Sequence, residues 1–324
     1  MNPRKYLRKG RDFFRAAGER FLSFCLYRPL GILCAKTEGL IRPIRLKIRS
    51  LQRRSEGATR VCTALTLALF PLLGIIYGGM VLRMALLAIA CLSLHEFLDM
   101  HGVRSGGKIT GQIFCVLIIF SQALGPVATL LVLALVLPVA GTTFLLNYAR
   151  GNRVAGLADQ APLFAALLYI PLILQLGLYL TQAEQFLVVL AAVASDTGGY
   201  YAGTRFGKHR LCPSVSPRKS WEGFFGGLFL CLLVCALMGF ASGSLEWRFL
   251  RLPLWAWFCI GAALHLAAVC GDLFESALKR SLQRKDSGVI LPGHGGMLDR
   301  VDSILFVMAA FMFIRLGVRM LQGA

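Results

Sequence analysis

The chain has 324 residues, 56% of them hydrophobic and only 16% charged, with a mean hydropathy of +0.66. That balance excludes an ordinary soluble domain. The formal net charge is +19, and 16 Lys/Arg against four acids place +12 of it in residues 1–60. Such a block marks a cytoplasmic flank attracted to anionic lipid headgroups. Nucleic-acid binding is the weaker reading of the basic arm, because no other feature accompanies it.

The first 58 residues read as a basic, partly amphipathic extension. Phe14, Ala17, Phe21 and Phe24 recur at helical spacing among Arg11, Arg15 and Arg20. This pattern suits a helix lying in the membrane surface, with a loosely ordered basic tail as the alternative. The apolar stretch Phe21 to Ala35 is broken by Arg28 and Pro29, which excludes a cleavable signal peptide.

Apolar runs follow at 61–77, 80–97, 111–125, 127–147, 163–181, 184–203, 223–242, 252–280 and 301–321. Most are long enough to cross a hydrocarbon core about 30 Å thick. Backbone polar groups find no water there, so the runs must be helices. The expected fold is therefore all-α: a polytopic helical integral membrane protein of about nine spans, occupying residues 59–324 as one membrane domain. One set of alternate connections carries Arg104, Lys108, Arg150, Arg153, Arg205, Lys208, Arg210, Arg218, Lys219, Lys279, Arg280, Arg284 and Lys285; the other holds little beyond Arg248 and Arg251. The first set and the N-terminus are thus expected in the cytoplasm and the C-terminus outside. Arg315 and Arg319 run against this count and are expected to snorkel to the interface. The ten cysteines show no CxxC pair and lie mostly in apolar runs, so neither a disulfide nor a metal–thiolate site is expected.

Acids are the informative minority in such a chain, because charge at membrane depth is costly. Glu96, in HEFLDM, reads more readily as an interfacial cap than as a functional group. The stretch SDTGGYYAGTRFGKHRLCPSVSPRKSWEG (195–223) brings Asp196 together with Ser216, Lys219 and Ser220. A positive-inside loop accounts for its Lys and Arg but not for Asp196 or for the density of Gly, Ser and Thr. His265 reads as a satisfied buried histidine, and CLLVC (231–235) as packing.

Asp272, Glu275, Ser276 and Lys279 fall at i, i+3, i+4 and i+7 and share one helix face. Taken alone they would suit a solvated helix end. They are followed, however, by GHGGMLDRVDS, with His294, Gly295, Gly296, Asp299, Arg300 and Asp302. Asp299 and Asp302 face one side at the mouth of the last run. Carboxylates flanked by Lys and Arg suit Mg²⁺ and a phosphorylated ligand: hard oxygens hold the cation, and basic side chains take the phosphate oxygens. The glycines let backbone N–H groups approach a phosphate closely.

At these residues the sequence resembles the phosphatidate cytidylyltransferases, or CDP-diacylglycerol synthases. The signature is Ser276, Leu278, Lys279-Arg280, then Lys285-Asp286, Pro292, His294-Gly295-Gly296 and Asp299-Arg300-Val301-Asp302. SDTGGYYAGTRFGKH and SPRKSWEG resemble upstream segments of the same family, and the likeness runs from about Thr59 to the C-terminus. The resemblance implies transfer of CMP from CTP to phosphatidic acid, giving CDP-diacylglycerol and pyrophosphate with Mg²⁺. It implies an often dimeric multi-span enzyme of phospholipid biosynthesis, working among membrane lipids at the cytoplasmic face. On this reading Asp272 and Asp299 bind metal, while Asp302 and Asp196 act as outer ligands or hold a second cation. Lys219, Lys279, Arg280 and Lys285 grip the triphosphate and the lipid phosphate. Ser216, Ser220, Ser276, Gly295 and Gly296 donate neutral hydrogen bonds, Arg300 completes the substrate site, and His294 orients the leaving pyrophosphate. The competing expectations are a CTP-dependent membrane lipid kinase, which would release CDP, and a transporter using the acids as ion sites.

Overall fold

The computed structural model describes residues 69–149, 160–244, 252–288 and 295–322. The N-terminal extension, the boundary expected near residue 58, His294 and the connections holding Arg150, Arg153, Arg248 and Arg251 lie outside the described residues. Residues 69–77 are helical. Nine further helices follow: α1 (Gly79–Met100), α2 (Ser105–Ser121), α3 (Pro126–Ala149), α4 (Ala161–Tyr169), α5 (Pro171–Leu176), α6 (Gln182–Phe206), α7 (Trp221–Ser244), α8 (Leu254–Ser281) and α9 (Leu298–Leu321). Among the described residues, seven helical segments are long and apolar enough to cross a membrane, with α4 and α5 counting as one. The chain is an all-α polytopic membrane protein, as its apolar runs imply.

Departures from the expected runs have local causes. Pro171 lacks an N–H and restricts the residue before it, so the fifth run breaks between α4 and α5 at Ile170. The run at 184–203 does form a helix, α6. It is not among the seven because Gln182, Glu184 and Gln185 at one end and Asp196 onward at the other lower its hydropathy. Its start is a capping box: Thr181 Oγ1 accepts from the Glu184 N–H, and Glu184 Oε2 accepts from the Thr181 N–H.

Glu184 also corrects the reading of Arg315. That side chain does not snorkel to an interface. It is 6% exposed, its Nε lies 2.9 Å from Glu184 Oε1, and it donates to the Tyr179 carbonyl. A cation with a buried carboxylate in reach has no need to seek water.

One segment read as a basic loop is a small antiparallel hairpin, β1 (Arg210–Cys212) and β2 (Ser216–Ser220). It joins α6 to α7. These two helices approach closely: a Cβ on Gly198 would lie 2.5 Å from the Gly226 carbonyl oxygen. Only backbone fits between them. Two apolar clusters form the core, one centred on α1, α2, α4 and α5 and the other on α6 to α9.

Candidate functional site

Five helix ends meet on one side of the assembly. The C-terminal parts of α1, α6 and α8 converge with the N-terminal ends of α7 and α9. Gly271 permits a close approach of α8 to α9: a Cβ there would stand 2.6 Å from the Asp302 carbonyl oxygen. The acidic groups of both helices are thereby brought together.

A cavity of about 430 Å³ opens among α6, β2, α7 and α8. Asp196, Lys219, Ser220 and Asp272 line it, with Arg218 and His265. The ammonium group of Lys219 is paired with Asp272 Oδ2, and Ser276 Oγ donates to Asp272 Oδ1 at 3.2 Å. Ser220 is buried, and its hydroxyl accepts the Gly223 N–H at 3.1 Å, capping the first turn of α7. His265 is buried as expected, 1% exposed, with its Nδ1 2.9 Å from Ser195 Oγ, but it is not fully satisfied: no hydrogen bond reaches its Nε2 among the described residues. Cys231 and Cys235 are fully buried packing residues.

A line of charge continues behind the cavity. Asp196 faces Asp272, Asp302, Lys219 and Arg300. The carboxyl of Glu275, fully buried on α8, lies against that of Asp302, which is 8% exposed. Lys279 Nζ donates to Glu275 Oε2 at 3.0 Å and to Asp299 Oδ1 at 2.6 Å. Asp299 also accepts the backbone N–H groups of Ser287, at 3.1 and 3.2 Å, and Gly296, at 2.9 Å. The Gly296 N–H, expected as a donor to phosphate, is thus given to a carboxylate of its own helix end.

The sequence-predicted residues divide between this line and its surroundings. Asp196, Lys219, Ser220, Asp272, Ser276, Lys279, Asp299 and Asp302 come together, with Gly295 and Gly296 at the start of α9. Ser216 sits at the far end of β2 and does not line the cavity. Arg280, in the last turn of α8 and donating to the Arg284 carbonyl, and Lys285, beyond the end of that helix, are both exposed. Sequence reasoning missed Ser287, and it gave no site role to Glu275, which it placed on the face of Asp272, or to Glu96. The last accepts from Ser287 Oγ and from two backbone N–H groups at the head of α9.

The donor set suits a hard cation. Asp196, Asp272, Glu275, Asp299 and Asp302 outnumber Lys219, Lys279 and Arg300. Among the described residues no three His, Cys, Asp or Glu side chains converge tightly enough to hold a metal unaided. Mg²⁺ commonly binds through one or two carboxylates and completes its shell with water and substrate phosphates, so such a group of acids fits it.

The cytidylyltransferase family model matches residues 58–317. A protein of Staphylococcus aureus (strain COL) named phosphatidate cytidylyltransferase is 32% identical over 258 residues, which are 77% of this chain and 95% of that protein. Proteins of the same name from Mycobacterium bovis and Mycobacterium tuberculosis (strain H37Rv) are 40% identical over 156 residues, 46% of this chain. Those matches span about half the length of the mycobacterial relatives, 48% and 45%.

Proposed function

The chain belongs to the cytidylyltransferase family, and we propose that it transfers CMP from CTP to phosphatidic acid, yielding CDP-diacylglycerol and pyrophosphate. A phosphate oxygen of phosphatidate attacks the α-phosphorus of CTP. The bond from that phosphorus to the bridging oxygen of the β-phosphate breaks, and pyrophosphate leaves. The attacking oxygen is already anionic, so no side chain need act as a strong base. Catalysis is then positioning and neutralisation of phosphate charge.

The observation that supports this reading best is the pairing of two lysine ammonium groups with carboxylates of α8 and α9. Lys219 rests on Asp272, and Lys279 rests on Glu275 and Asp299. Each ammonium group borders the carboxylate cluster and can transfer a hydrogen bond to an arriving phosphate oxygen. Asp272 and Asp299, with Asp302 and Asp196 facing Asp272, would hold Mg²⁺, which supplies further neutralisation of the triphosphate when bound. The cavity beside Asp196, Lys219 and Asp272 takes the nucleotide, and Arg218 and Arg300 add positive charge at its margin. Placing the site at helix ends suits substrates of opposite solubility: CTP stays in water, and diacyl tails stay in the bilayer.

On this reading the helix ends that carry the site and the N-terminus face the cytoplasm, the C-terminus faces outward, and the enzyme resides in the cell membrane. A lipid kinase using CTP would release CDP instead of pyrophosphate. Purified protein incubated with labelled CTP, phosphatidate and Mg²⁺ separates the two: a cytidine-containing lipid and equimolar pyrophosphate are expected. CDP as the nucleotide product would overturn the assignment.

A further inference from the structure

Glu96 lies on α1, between 176 and 206 residues before the acids of α8 and α9, and is 2% exposed. Its Oε1 accepts the Met297 N–H at 3.0 Å, and its Oε2 accepts the Leu298 N–H at 2.9 Å and the Ser287 hydroxyl at 3.1 Å. These two N–H groups are among those a helix leaves without internal partners at its start. The space around the carboxylate is shaped for it. A Cβ on Gly288 would stand 2.6 Å from Glu96 Oε1, and one on Gly296 would collide with Glu96 Oε2 and Ser287 Oγ.

Ser287 connects this carboxylate to Asp299. Its hydroxyl goes to Glu96, while its N–H goes to Asp299. The Gly296 N–H goes to Asp299, and the next two go to Glu96. Two carboxylates therefore divide the N-terminus of α9 between them, where the helix dipole favours negative charge. Three of the N–H groups at this helix start are already taken by protein, which leaves the phosphates to side chains.

We propose that Glu96 is a positioning residue for the transfer reaction: from α1 it fixes the start of α9 so that Asp299 and Asp302 face α8. The proposal rests on the cytidylyltransferase reading above. Glu96 does not meet substrate. It acts through Ser287, Met297 and Leu298, and its carboxylate ties α1 both to Ser287 and to the start of α9.

The test compares wild type, Glu96→Gln, Glu96→Asp and Ser287→Ala as purified full-length protein. Steady-state kinetics and amide hydrogen exchange over 295–299 are measured for each. Glu96→Gln keeps the volume but turns an NH₂ toward a backbone N–H. It should lower kcat by about 10- to 100-fold, the usual cost of losing an orienting partner of an ionic site. The CTP KM should stay near the wild-type value, the Mg²⁺ concentration for half-maximal rate should rise, and the Met297 and Leu298 amides should exchange faster. Glu96→Asp should recover part of kcat. A wild-type kcat in Glu96→Gln, or unchanged exchange at both amides, overturns the proposal. Should Glu96→Gln fail to insert, Ser287→Ala carries the test: reduced kcat at unchanged KM supports it, and full kcat overturns it. A wild type that makes no cytidine lipid overturns the activity reading itself, an outcome distinct from an active wild type with a silent Glu96.

Discussion

Lys279 joins two helices by one ammonium group, 3.0 Å from Glu275 Oε2 on α8 and 2.6 Å from Asp299 Oδ1 at the start of α9. The lysine is 9% exposed and Glu275 is fully buried. Removing one partner of such a group leaves the others charged and desolvated. Lys279→Met should therefore destabilise the protein by about 3 kcal/mol and abolish detectable turnover. Lys279→Arg should insert but remain impaired, because a planar fork cannot reproduce the compact ammonium. Thermal unfolding in detergent and CTP turnover measure the two effects. A fully active Lys279→Met would contradict the role given to this side chain.

Lys219 offers a gentler variant. It lines the cavity and pairs with Asp272, with about a quarter of its side chain exposed. Stability should change little in Lys219→Ala. The CTP KM should rise by about tenfold or more and kcat should fall, since a hydrogen bond to a charged phosphate contributes roughly 1.5–3 kcal/mol. Steady-state kinetics at fixed Mg²⁺ checks this.

Gly226→Ala tests the contact between α6 and α7. The new methyl would stand 2.9 Å from the Gly198 carbonyl oxygen and collide with the Ala202 side chain. Overpacking of this kind costs about 1–3 kcal/mol, so a lower melting temperature is expected. Because α6 carries Asp196 and α7 follows Lys219, separation of these helices should also lower turnover per folded molecule. A melting curve and specific activity matching wild type would show that the helices do not need this approach.

The buried pair Arg315–Glu184 gives the opposite pattern. Arg315→Met alone strands Glu184, which is 2% exposed, and should cost about 3–5 kcal/mol. Arg315→Met combined with Glu184→Gln should recover much of that loss. Turnover of the molecules that do fold should stay near wild type, because the pair sits at the start of α6, away from the acids of α8. A double-mutant cycle on thermal stability, read beside specific activity, decides the matter.

Much of the fold was legible because lipid imposes one rule on every backbone group: long apolar runs become helices. The breaks were less legible. Pro171 splits one run, and SPRKS forms a strand without apolar alternation because its partner is the adjacent RLC. The acids of α8 and α9 could be grouped by helical periodicity, and the structure does place Asp272, Lys279, Asp299 and Asp302 together. What periodicity cannot carry is a contact between distant segments. Local sequence makes Glu96 an interfacial cap; the N–H groups it accepts from belong to the start of α9, 201 and 202 residues later. Arg315 was expected near water because its carboxylate partner, Glu184, lies 131 positions earlier and is invisible to a local reading.

Joint action of the α8 and α9 carboxylates on the phosphates of CTP is tested by transfer of label from α-labelled CTP into lipid by wild type, Asp272→Asn and Asp299→Asn, each confirmed to be inserted and folded. Wild type should form labelled CDP-diacylglycerol, and each variant should fall by at least about a hundredfold, as expected when preorganised charge stabilisation is lost. Near-normal formation of CDP-diacylglycerol by both variants would contradict the claim.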